Sequence, residues 1–200
     1  MPMSRAHSRM HLRALVGVFL VISCSRPSSD VRVLFDRYMA ASKAHDLTTL
    51  AAMTDDDVIW QLGPYRLVGK EAALGPHYTD LALHTTLAYR DVTIRGDTVE
   101  DVLIEHNDVT RAYGPDSLVH YPRYVFRYGL MWRKEEWKPS PDMADLLRRG
   151  AAFRAWLRRV HPDTYQKLAP DSTHGPFGQA RGHLLAAALQ EWVAAGKPGS

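Results

Sequence analysis

The segment "VLIEHND", Val102 to Asp108, brings together residue types that can move protons. If it runs as a strand, residues two apart share a face, so His106 and Asp108 stand side by side. An imidazole titrates near neutrality, and an adjacent carboxylate orients it and favours its charged form, which makes the pair an acid–base couple. The same two residues near a hairpin end also make a plain surface pair. Strand register separates these readings, because a slip by one residue turns Glu105 and Asn107 inward instead.

A second group of residues points to binding. In "LVHYPRYVFRYGLMWRKEEWKP" the positions Tyr124, Phe126, Tyr128, Leu130 and Trp132 alternate with Arg123, Val125, Arg127, Met131 and Arg133. Read as one long strand, it has an aromatic face and a largely basic face. The aromatic face suits either the wall of an apolar pocket or ordinary core packing.

Other patterns are weaker. The ten histidines, among them His77, His84, His106 and His120, show no metal-ligand spacing, so no metal is expected. Asp55, Asp56 and Asp57 read as a solvated acidic turn rather than a calcium loop. No nucleophile elbow, phosphate loop or paired-cysteine motif is present, and no cofactor is expected. Arg148, Arg149, Arg154, Arg158 and Arg159 form a basic stripe, which is either a membrane-facing surface or simply a solvated helix face.

The single cysteine, Cys24, falls where a greasy run gives way to "SRPSSD". Before it, "MPMSRAHSRMHLR" is basic and "ALVGVFLVIS" (Ala14 to Ser23) is mostly apolar, too short for the roughly 20 apolar residues of a membrane span. "VISC" resembles a bacterial lipobox. That resemblance implies a signal peptide over 1–23, lipidation of Cys24 and a tether over 24–30. With Ser25 next to the cysteine, it implies an exported, membrane-anchored protein on the periplasmic side of an outer membrane, if the host has two membranes. The net charge of +3 belongs to this leader: removing Arg5, Arg9 and Arg13 leaves 22 basic against 22 acidic residues, so no nucleic-acid partner is expected.

The elements that must position these residues follow from periodicity. Val31, Leu34, Phe35, Tyr38 and Met39 have helical spacing after Asp30, a fitting N-cap. A second short helix follows His45-Asp46. "VIWQL" reads as a strand stopped by Gly63-Pro64, and "GKEAALGPHYTDLA" as a short helix broken at Gly75-Pro76. From residue 85 the period becomes two, with "TTLAYRDVTIRG" and the whole of "TVEDVLIEHNDVTRAYG" as strands. Met143 to Val160 and Gln179 to Ala195 are amphipathic helices. Helices followed by a long curved antiparallel sheet make an α+β plan.

"FDRYMAASKAHDLTTLAAMTDDDVIWQLGPYRLVGKEAAL" resembles the opening of nuclear transport factor 2-like domains, among them ketosteroid isomerases, SnoaL-like cyclases and limonene epoxide hydrolases. The resemblance implies a cone, or cystatin-like α+β roll, over 31–141, in which helices cover a curved sheet around an apolar pocket. The segment 142–196 is then a helical extension. Tyr38 falls where ketosteroid isomerases keep their oxyanion-hole tyrosine, but the general-base position falls at Gln61 or Leu62, which cannot take a proton from carbon. Against epoxide hydrolases, His106 and Asp108 fall on the Arg-x-Asp positions, with Trp60 and Leu62 at the water-holding ones.

Binding of a small apolar molecule is therefore expected, with Trp60, Tyr124, Phe126, Tyr128 and Trp132 as the wall. The alternatives are an enzyme of the SnoaL or epoxide-hydrolase type using Asp108, His106 and Tyr38, and a structural protein with a filled pocket. A homodimer through the sheet fits any of the three.

Overall fold

The computed structural model describes residues 30–169 and 177–199. The expected leader, Cys24 and nearly all of the expected tether lie outside the described residues.

Asp30 caps α1 (Val31–Lys43), its carboxylate accepting from the Arg32 N–H at 3.0 Å. Phe35, Tyr38 and Met39 form its buried stripe. Asp46 caps α2 (Leu47–Met53) in the same way, through the Thr49 N–H. The expected acidic turn is not a turn. Asp55 to Asp57 lie within β1 (Thr54–Leu62), at its register shift against a neighbouring strand, while Val58 and Trp60 point into the core. The stop at Gly63-Pro64 is a hairpin into β2 (Tyr65–Val68).

Helix α3 (Lys70–Ala82) runs through Pro76 without the expected break. A proline inside a helix removes one hydrogen bond. Burial of Ala73, Leu74 and His77 on one side, with Gly75 close to Phe177, outweighs that loss.

Strands β3 (Thr86–Arg95) and β4 (Thr98–His106) pair antiparallel. Asp91 and Val92 together face Asp101, a bulge that bends the sheet. The strand expected to continue to residue 114 stops at His106. Asn107 forms a reciprocal capping box with Thr110 and starts α4 (Asp108–Tyr113).

The long aromatic strand is likewise divided into β5 (Leu118–His120), β6 (Pro122–Arg127) and β7 (Leu130–Glu136). Tyr128 and Gly129, at φ +52° and +85°, make a two-residue turn of the type that needs positive φ at both central positions. The sheet order is β2-β1-β7-β6-β4-β3, with β5 on β4, and only β1 and β7 run parallel.

One core lies between α1–α3 and the sheet, around Phe35, Tyr38, Leu50, Val58, Val99 and Tyr124. A second joins α4 to the extension, α5 (Met143–Val160), α6 (Pro162–Lys167) and α7 (Gln179–Ala194), around Phe153, Trp156, Leu157, Leu189 and Trp192. Helix α7 docks closely on α3 at Gly182, where an added Cβ would lie 2.6 Å from Ala82 Cβ and 3.2 Å from the Thr79 backbone. Gly182→Val should therefore cost about 1–3 kcal/mol, read as a lower urea midpoint at unchanged m-value.

Candidate functional site

A cavity of about 490 Å³ opens between the concave face of the sheet and α3, so the domain's own side chains do not fill it. Met39, Trp60, Leu87 and Leu103 supply apolar wall, and Met143 and Leu147 of α5 also reach it. Into this apolar space come Asp80, Glu105, His120, Lys134 and Glu136.

Strand geometry explains how charged side chains reach an apolar cavity. On β4 the inward positions are Val99, Asp101, Leu103 and Glu105, so the one-residue alternative in register is the one adopted. On β7, Met131 pairs with Phe126 and Arg133 with Val125, leaving Trp132 as the extra residue of a bulge. The bulge restores the phase that the Tyr128-Gly129 turn reversed, and Lys134, opposite Tyr124, points inward.

Lys134 is buried, with 9% of its surface exposed. Its Nζ lies 3.8 Å over the Trp60 ring and 5.3 Å from that of Tyr124, a cation–π arrangement. Burial pushes its pKa down, against the opposing pull of Asp80, Glu136, Asp101 and Glu105. Burial pushes the Asp80 carboxyl up, the Glu105 charge adds to this, and Lys134 opposes it.

His120 lies between two carboxylates, with Nε2 3.3 Å from Glu105 and Nδ1 3.3 Å from Glu136. These are ion-pair contacts, and Nε2 makes no aligned hydrogen bond. Burial disfavours the imidazolium, but the two carboxylates outweigh it and raise the pKa to about 9. For Glu136 burial is likewise outweighed, by His120 and the Tyr121 N–H, and its pKa falls.

Deeper still, Asp101 is 2% exposed, neither of its oxygens has a hydrogen-bond partner, and burial raises its pKa to about 7. The Tyr124 hydroxyl is also without a partner.

The residues expected to do chemistry are placed differently. Asp108 is the first residue of α4, not a strand neighbour of His106, and its carboxylate accepts from Arg111 (2.7 Å) and contacts His84 Nδ1 (2.8 Å). His106 is directed to the Asp116 carbonyl. Neither lines the cavity, because Asn107 ends the strand between them.

Tyr38 is fully buried, its Oη 2.9 Å from His77 Nε2. Burial, with the charges of Lys134 and His45, lowers the His77 pKa to about 3 and keeps its ring neutral. Of the expected aromatic wall, Trp60 and Tyr124 line the cavity. Phe126 belongs to the core, Tyr128 sits 85% exposed in the turn, and Trp132 stacks 3.4 Å beneath the Arg127 guanidinium. Tyr128 is exposed as a residue of the turn itself, and the phase reversal that follows the turn takes Trp132 off the inward face. Among the described residues, no group of three or more His, Cys, Asp or Glu side chains is placed to hold a metal ion.

Helices over a curved sheet, enclosing an apolar cavity with charged groups in its wall, define the cone expected of a nuclear transport factor 2-like domain. No protein-family model and no curated protein sequence matches the chain. Solved structures similar to it include IdmH of Streptomyces antibioticus, a proposed polyketide cyclase, at 17% identity and a TM-score of 0.48 over 60% of this chain and 97% of that one. An NTF2-like protein of Cytophaga hutchinsonii is 8% identical, with a TM-score of 0.47 over 57% and 92%. The Mycobacterium tuberculosis protein RV0760c, in complex with estradiol-17β-hemisuccinate, is 17% identical, with a TM-score of 0.45 over 56% and 95%. At such identities and TM-scores nothing is carried over from these proteins, and the chemistry of this chain rests on its own side chains.

Proposed function

We propose that the cone binds a small molecule with an apolar body and a polar end. One observation carries this reading: an unfilled cavity of about 490 Å³, apolar in most of its wall, into which Asp80, Lys134 and His120 project. The test is titration with N-phenyl-1-naphthylamine, a neutral apolar fluorophore. Saturable enhancement is expected with the natural chain and loss of it with Leu103→Trp, which fills the cavity. Equal enhancement in both chains, with unchanged circular dichroism, overturns the reading.

Asp80 favours a second, catalytic reading. A carboxyl raised by burial in an apolar cavity can take a proton from a bound ligand and return it. In this reading the acid–base work expected of Asp108 and His106 passes to Asp80. The measurement is deuterium exchange at carbon next to the carbonyl of a cyclic ketone, followed by NMR. Asp80→Asn should abolish the exchange, and an unchanged rate removes this reading.

The same proposal makes the domain an exported lipoprotein tethered through lipidated Cys24, on the periplasmic side of the outer membrane if the host has two membranes. Its support is the basic and then apolar leader ending in "VISC". Among the described residues no helix is long and apolar enough to cross a membrane. Mass spectrometry of the mature N-terminus tests the anchor, and an unmodified Cys24 or a chain beginning elsewhere refutes it. Self-association through the outer face of the sheet belongs to the same proposal, and a monomeric sedimentation profile rules it out.

A further inference from the structure

Lys134 differs in its surroundings from the other described lysines. Lys70 pairs with Asp56 at 2.7 Å, and Lys43 and Lys138 lie over aromatic rings at the surface. Lys134 has nine-tenths of its surface buried and lines the cavity. Among the described residues no hydrogen bond or ion pair reaches its nitrogen, whose neighbours are the faces of Trp60 and Tyr124.

Two ligand groups suit an amine in a cavity, a carboxylate and a carbonyl. The carboxylate is disfavoured here. Asp80, Glu105 and Glu136 share the cavity wall with the amine and the His120 imidazolium, so an incoming anion meets more acids than cations. A carbonyl brings no charge, and its carbon is the partner that an unpaired amine attacks.

From this we infer that Lys134 is a nucleophilic site that captures an apolar aldehyde or ketone as an imine. The inference rests on the cavity being a binding site. The Nζ lone pair forms a bond to the carbonyl carbon, and the carbonyl π pair moves to oxygen, which takes a proton. Nitrogen releases its proton, giving a neutral carbinolamine. A second proton on the hydroxyl lets it leave as water while the nitrogen lone pair closes the C=N bond, and the nitrogen then releases its remaining proton. Amine and carbonyl become imine and water, with no oxidant or reductant. Asp80, in the same wall, is placed to give and take these protons.

The groups facing the amine set its protonation. Burial favours the neutral form, while Asp80, Glu136, Asp101 and Glu105 favour the cation. Where burial prevails, as here, the free amine is present at lower pH than on a surface lysine, and each unit of pKa is about a tenfold gain in its population.

The experiment uses the full chain with cinnamaldehyde and sodium cyanoborohydride, which reduces an imine to a stable secondary amine. Peptide mapping then compares Lys134 with Lys138. Labelling of Lys134 is expected to run about tenfold or more ahead of Lys138 near neutral pH. Its pH midpoint should be lower, and Lys134→Met should remove this adduct alone. N-phenyl-1-naphthylamine binding is measured in parallel. Binding of the probe with labelling of Lys134 no faster than Lys138 overturns the imine and leaves the binding reading standing. Loss of both overturns both. Equal labelling of Lys134 in urea-unfolded and folded chains also overturns it, since reactivity would then owe nothing to the cavity.

Discussion

Raising the pH from about 6.5 through about 9 should destabilise the natural chain relative to His120→Gln by about 3 kcal/mol. The folded imidazole keeps its proton up to about 9 because Glu105 and Glu136 flank it, whereas the unfolded one loses it near its ordinary value. The folded state therefore binds more protons across that window, and stability falls as pH rises. The contribution is complete below the ordinary histidine pKa and gone above the folded one.

Neighbouring groups make the comparison with His120→Gln necessary. Asp101, raised to about 7, loses stability in the same direction over the lower part of the window. Lys134, lowered by burial, acts in the opposite direction as it deprotonates in the folded state first. His77, lowered to about 3, is neutral in both states above the ordinary histidine pKa and acts only on the acid side. Urea unfolding of both chains across the window checks the prediction. Parallel pH profiles would show that the two carboxylates do not hold the charge.

Trp60→Ala is the second large effect, an expected loss of about 3–5 kcal/mol, seen as a fall in the urea midpoint. The indole is 5% exposed, lies 5.3 Å from the His77 ring and sits beneath the Lys134 ammonium at 3.8 Å. Its removal leaves a void and strips a buried amine of the π face that stabilises its charged form. A loss below about 1 kcal/mol would mean that the cavity wall collapses around the gap. Tyr128→Asn should change stability by less than about 0.5 kcal/mol, or raise it, since Asn suits the positive φ of that turn. In sequence these two aromatics looked alike as candidate wall residues. Their positions relative to the turn set them apart.

That contrast shows where sequence reading succeeded and where it failed. Local patterns were legible: the Asp30 cap, the Phe35–Tyr38–Met39 stripe and the Val58–Trp60 alternation are set by neighbours in the chain. The change from helical to strand period near residue 85 was equally plain. What failed were assignments that needed a strand's phase to persist. One capping box ended β4 before Asp108, and one turn followed by one bulge reversed and restored the inward face between Tyr124 and Lys134. Proline at position 76 was misjudged because burial on the sheet side holds the helix together there.

The amino-acid order alone determined the α+β class of the fold and most of its helices and strands, because each depends on periodicity over a short span. The tertiary structure decided which charges enter the pocket. Asp80 on a helix and Glu105, His120, Lys134 and Glu136 on three strands meet only through pairing register and bulges, which depend on contacts between segments far apart in sequence.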